Sequence, residues 1–133
     1  MTVFRGMLAS TAFASLFIAG PALPQGAPQE IDVVMTNFAF TPDNLPLHAN
    51  APYRLHLVNN GTSGHNFSAP EFFAASAIAP GDAGKVKDGA IEVAKGQSVD
   101  VTLTPSKTGS YDVKCTHFMH TMFGMTGTVT VRQ

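Results

Sequence analysis

The shortness of the apolar runs, and the regularity with which they are broken, most constrains what this chain can fold into. Short apolar or alternating runs recur at about Glu30–Asn37, Asn44–Leu47, Tyr53–Asn59, His65–Ser68, Ala90–Val93, Ser98–Leu103, Gly109–Cys115 and Thr126–Arg132. Turn formers separate them, as in Thr41-Pro42-Asp43-Asn44, Ala49-Asn50-Ala51-Pro52, Asn59-Asn60-Gly61, Ala94-Lys95-Gly96-Gln97 and Pro105 to Gly109. Several short strands at such spacing predict an all-β sandwich or barrel. Leu55 and Leu57 alternate with Arg54, His56 and Val58, and Val99, Val101 and Leu103 with Asp100, Thr102 and Thr104. Tyr111, Val113 and Cys115 alternate with Asp112 and Lys114, so period two puts Cys115 on the core face. One stretch departs from the pattern. Pro70 to Ala79 is Ala-rich, with Ile78 its only β-branched residue, and reads as a short helix or turn packing Phe72 or Phe73 against the sandwich.

Residues 1–27 stand apart. Arg5 is the only charge before Glu30, and it is followed by the apolar stretch Met7 to Ala19 and then by small residues and prolines. A positive start, a short apolar run and a small-residue cleavage region make a secretory signal. The cut falls between residues 22 and 27, after Ala22 or near Ala27; an uncleaved anchor is the alternative. The run is shorter than the roughly 20 apolar residues of a membrane span, and no later segment could span one. Residues 28–133 are therefore expected as one domain, periplasmic or otherwise exported. With 8 Lys+Arg against 9 Asp+Glu the chain has no basic excess, which argues against nucleic-acid or membrane-surface binding.

The chain has a single cysteine, Cys115. That excludes an intramolecular disulfide, a CxxC clip and an all-thiolate zinc or iron–sulfur site. An inert buried thiol, a nucleophile, or one thiolate of a mixed metal site remain. A lone thiol in an oxidising compartment is open to oxidation, which favours a function. Cys115-Thr116-His117-Phe118-Met119-His120-Thr121-Met122-Phe123-Gly124-Met125 holds two of the five histidines and three of the six methionines. It lies between two predicted strands, as a loop at one end of a sandwich, where sites commonly sit. His65 opens a short strand after the loop Asn59 to Gly64. Two imidazoles, one thiolate and one weak thioether are the ligand set of a blue-copper centre. Thiolate and thioether hold Cu(I), imidazoles also suit Cu(II), and methionine is not a zinc preference.

These residues resemble the cupredoxin family, the small blue-copper proteins such as plastocyanin, pseudoazurin and azurin. The similarity spans the mature chain and rests on Tyr111-x3-Cys115, Cys115-x4-His120-x4-Met125-x-Gly127-x-Val129-x-Val131, and His65-Asn66 upstream. The resemblance implies a Greek-key β-sandwich with one copper ion, cycling between Cu(I) and Cu(II), at one end. Its ligands would be His65, Cys115, His120 and, as the weak axial ligand, Met125. Asn66 would tie the two ligand loops together through Thr116, and the edge of His120, ringed by apolar residues, would be the electron port. His117, Met119 and Met122 exceed the family pattern. His117 is the alternative to His120, and with it the axial ligand would move to Met119 or Met122.

The leading function is electron transfer, one electron at a time, by a monomer that docks transiently on redox proteins such as a cytochrome or a copper or haem enzyme. The alternative is copper handling (tolerance, storage or delivery), with the surplus His117, Met119 and Met122 binding a second Cu(I). Catalysis is not expected. A Cys115–His120 nucleophile pair lacks an orienting third residue, a copper oxidase needs further copper sites or domains, and a binuclear centre needs a second cysteine.

Overall fold

A computed structural model describes Gly20 and residues 26–133. The expected signal segment, apart from Gly20 and residues 26–27, lies outside the described residues. Eleven strands form two sheets: β1 (Gln29–Thr36), β2 (Ala39–Thr41), β3 (Asn44–His48), β4 (Tyr53–Asn59), β5 (His65–Ser68), β6 (Ser76–Ile78), β7 (Val86–Lys87), β8 (Ala90–Val93), β9 (Ser98–Pro105), β10 (Gly109–Lys114) and β11 (Thr126–Arg132). One sheet has the order β2-β1-β4-β9-β6 and the other β3-β11-β10-β5-β8-β7. The pairs β1–β4 and β3–β11 run parallel; the others are antiparallel. This is the expected Greek-key sandwich.

Alternation builds the core. Val33 and Met35 of β1, Leu55 and Leu57 of β4, and Val101 and Leu103 of β9 are all buried on one sheet. Phe67, Ile91, Val93, Val113, Val129 and Val131 meet them from the other. The polar partners of these strands face outward, where Asp32, His56 and Asp100 lie side by side across three strands, and His56 Nδ1 is 2.6 Å from Asp100 Oδ1.

The Ala-rich stretch is half as expected. Pro70–Ala74 is a helix, α1, with proline at its start, and it buries both Phe72 and Phe73. Ser76–Ile78 is instead the edge strand β6, paired with Pro105 to Leu103 of β9. Backbone hydrogen bonds to an existing strand override the weak local preference of Ser-Ala-Ile. The segment around Lys85 is tied to both sheets. Lys85 Nζ donates to Asp82 Oδ1 at 2.7 Å and to the Asp100 carbonyl at 2.8 Å, and Val86–Lys87 pairs with β8.

One joint in the second sheet positions everything that follows. β5 and β10 pair only at Ser68 and Lys114. Beyond that pair the two strands no longer form a ladder, and His65 and Cys115 lie on this side of it.

Candidate metal centre

His65 starts β5 with its ring fully buried. Cys115 follows β10 directly and is also fully buried. His120 comes from the turns between β10 and β11, and is half-buried. Their donor atoms converge. His65 Nδ1 and His120 Nδ1 are 3.1 Å apart, Cys115 Sγ is 3.4 Å from His120 Nδ1, and Sγ is 3.9 Å from His65 Nδ1. Among the described residues, this is the one cluster of three or more His, Cys, Asp or Glu donors close enough to share an ion. A point equidistant from the three atoms lies about 2.0 Å from each, the length of a metal–imidazole bond.

The surroundings suit a metal. Burial, then the neighbouring His120 and His117, pushes the His65 pKa below its ordinary value, so its ring is neutral and keeps a lone pair for a cation. His65 Nε2 is buried without a hydrogen-bond partner. It abuts Gly61, where a Cβ would lie only 2.4 Å away. The ring is therefore fixed by steric fit. Residue 61 is in turn held by Asn59, whose Oδ1 accepts from the Gly61 N–H at 2.8 Å and whose Nδ2 donates to the Ser63 and Val93 carbonyls, each at 2.9 Å.

The missing ladder between β5 and β10 is replaced by side chains. Asn66 Nδ2 donates to Thr116 Oγ1 at 2.7 Å, and the Thr116 N–H donates to Asn66 Oδ1 at 2.9 Å. This is the expected tie between the two loops. The loop also closes on itself. The Cys115 N–H donates to the Met125 carbonyl at 3.1 Å, Thr121 Oγ1 donates to the Cys115 carbonyl at 2.5 Å, and the Met125 N–H donates to the His120 carbonyl at 3.1 Å. Met125 is fully buried, and its carbonyl is the one that accepts from the Cys115 N–H.

His117 points elsewhere. Its Nε2 lies 2.5 Å from Glu92 Oε1, and its ring stacks on that of His120 at 5.6 Å and 25°. Of the surplus loop residues, Met122 is 80 % exposed and Met119 40 %. The structure thus brings His65, Cys115 and His120 together, leaves His117 outside that cluster, and exposes Met119 and Met122.

Sequence reasoning missed three residues: Gly61, Glu92 and Phe38. Phe38 touches His120 edge-on, with ring centroids 5.3 Å apart and planes at 87°. No sequence signal marked it, because the turn at Asn37-Phe38 shows only in the pairing of Thr36 with Ala39.

A β-sandwich with one thiolate and two imidazoles converging at one end defines the class of small copper-binding sandwiches. The chain belongs to the cupredoxin-like family, whose domain model matches residues 7–131. Its cofactor is copper, one ion, which the soft sulfur and paired imidazoles suit. Auracyanin from the photosynthetic bacterium Roseiflexus castenholzii, reduced with dithionite, superposes with a TM-score of 0.61 at 21 % identity, covering 81 % of this chain and 100 % of that one. Auracyanin B gives a TM-score of 0.59 at 27 % identity, covering 81 % and 92 %. A multicopper oxidase from Campylobacter jejuni gives a TM-score of 0.57 at 13 % identity, but the match covers only 32 % of that chain. No curated protein matches the chain by sequence.

Proposed function

We propose that this chain is an exported mononuclear type 1 copper protein that carries single electrons between redox proteins. His65, Cys115 and His120 would hold the ion, with Met125 as a fourth, weaker ligand. The observation that carries this reading is the triangle of donor atoms with edges of 3.1, 3.4 and 3.9 Å. When bound, copper supplies a one-electron Cu(II)/Cu(I) couple. The chain's own part is to hold the donors nearly still through that change, so that little reorganisation accompanies transfer. The strand position of His65, the Asn66–Thr116 tie and the bonds closing the loop all act to that end. Membership of the cupredoxin-like family supports a redox role.

Docking is assigned to the loop end. Among the described residues, every exposed large hydrophobic side chain is here: Phe38, Phe118, Met119, Met122 and Phe123. Phe118 is 89 % exposed. Such a patch marks an interaction site, and its modest size suits a weak, transient electron-transfer encounter. The partner is a redox protein with an apolar face. Export is supported by the composition of residues 1–27. Among the described residues, no helix is long and apolar enough to cross a membrane.

A second reading, copper handling, rests on the exposed thioethers of Met119 and Met122. Titration separates the two: one ion per chain with a reversible one-electron wave supports electron transfer, and two ions, or one readily surrendered, support handling. The decisive test of the site is visible absorption of the copper-loaded protein. An intense thiolate-to-Cu(II) band near 600 nm should appear, vanish in Cys115→Ser and His120→Ala, and persist in His117→Ala. A wild type without the band, or a Cys115→Ser variant that keeps it, overturns the assignment.

A further inference from the structure

Among the described residues, four that are not glycine have positive φ: Phe38 at 65°, Asn50 at 62°, Asp88 at 51° and Met119 at 62°. Asparagine and aspartate tolerate that backbone; phenylalanine does so poorly. Phe38 gains little core burial for it, being 40 % exposed. Thr36 pairs with Ala39, so Asn37-Phe38 is a two-residue hairpin turn, and glycine or asparagine would relax it. Strained backbone persists where its surroundings over-determine it, commonly at functional sites.

What surrounds Phe38 is the candidate metal centre. Its ring meets His120 edge-on and Phe123 at 5.0 Å. Next to it, Asn37 is clasped to the loop before His65: the Thr62 N–H donates to Asn37 Oδ1 at 2.9 Å, and Asn37 Nδ2 donates to Thr62 Oγ1 at 3.0 Å. The turn is therefore anchored to the loop before His65 through an exposed clasp, while Phe38 reaches across to His120. His120 has no strand beneath it. Its ring is flanked by Phe38, His117 and His65.

We infer that Phe38 is a positioning residue for His120. The clasped, left-handed turn presses its ring against the imidazole, fixes the imidazole's orientation and screens it from water. The inference rests on the reading of His120 as a ligand, but the positioning itself can be measured without metal.

Phe38→Asn keeps a residue suited to the left-handed backbone and removes the ring. Phe38→Gly does the same by another route, should the first variant fold poorly. In the metal-free protein, NMR should show the His120 ring resonances shifted and broadened in both variants, with those of His65 unchanged. Thermal midpoints should stay level with the wild type or rise. In the copper-loaded protein, a Cu(I) chelator should strip the ion about ten-fold faster or more, as when a residue supporting a ligand is lost. Phe38→Tyr should restore the wild-type rate. Unchanged His120 resonances overturn the inference, as does a stripping rate equal to the wild type. Loss of stability in step with faster stripping also overturns it, because Phe38 would then be an ordinary packing residue. If wild type lacks the band near 600 nm, the ligand reading fails instead, and the metal-free NMR comparison still decides the role of Phe38.

Discussion

His65 and His120 face each other at 3.1 Å, yet they are held by opposite means. His65 stands on a strand, fully buried, with Gly61 against one nitrogen and an Asn59-pinned loop behind it. His120 stands on a run of turns and owes its surroundings to other rings. The first is fixed by its strand and by the fit of its ring against a hydrogen-bonded loop, which yield little. The second is fixed by ring contacts, each worth about 0.5–1.5 kcal/mol, and remains within reach of solvent. The contrast separates two needs. One side sets where the donors are, and the other leaves an edge open to solvent, where the proposed electron transfer would take place.

The largest effect should come from breaking the rigid side. Asn59→Ala strips the Gly61 N–H and the Ser63 and Val93 carbonyls of a buried partner. Each orphaned group costs about 1–3 kcal/mol, so chemical denaturation of the metal-free protein should show a loss of about 3 kcal/mol. A loss under about 1 kcal/mol would mean that the loop is not pinned through Asn59. Gly61→Ala comes next. Its Cβ forces the His65 ring to move, and copper affinity in a competition titration should fall by about 10–100-fold. Wild-type affinity would show that His65 is not held by this fit.

A cut between the two sides should cost less. Thr116→Val removes the hydroxyl that Asn66 donates to, and about 1 kcal/mol of stability should go with it, while the visible band remains. On the exposed side, His117→Ala frees Glu92 and one flank of His120. Surface pairs of this kind contribute about 0–1 kcal/mol, so midpoints should barely move. A drop as large as that of Asn59→Ala would erase the contrast. The smallest effect is a remote control. Hydrogen bonds from Lys85 and the Thr102 N–H hold the Asp82 carboxyl below its ordinary pKa. The unfolded chain binds that proton more tightly, so this contribution is present at neutral pH and is lost as pH falls through the carboxylate range. Asp82→Asn should flatten acid unfolding slightly and leave both sides of the site alone.

The same division governs what could be read in advance. Strands β4, β8 and β11 have the bounds that period two and the turn residues indicate, because each has one face in the core, whereas β5 is buried at all four positions and its bounds are set by the residues that flank it. Ala39–Thr41, Ser76–Ile78 and Val86–Lys87 are two or three residues long, too short to carry a period, and exist because a neighbouring strand offers hydrogen bonds. Cys115, His120 and Met125 were legible because their spacing lies along one loop, and Asn66 with Thr116 because the family resemblance named the tie. Gly61, Phe38 and Glu92 were not. Gly61 matters through a ring four residues on, Phe38 through a loop 82 positions away, and Glu92 through a pair with |i−j| of 25. No local pattern encodes such contacts.

The shortest strands have a consequence of their own. One sheet ends in β2 and β6, three residues each, and the other in β7, two residues, and β3, which carries Pro46. A free sheet edge is a template for another chain, and proteins blunt it with brief strands and proline. These borders give a second copy almost nothing to zip onto. The sandwich can therefore display an apolar patch at one end without inviting its own sheets to extend into an aggregate.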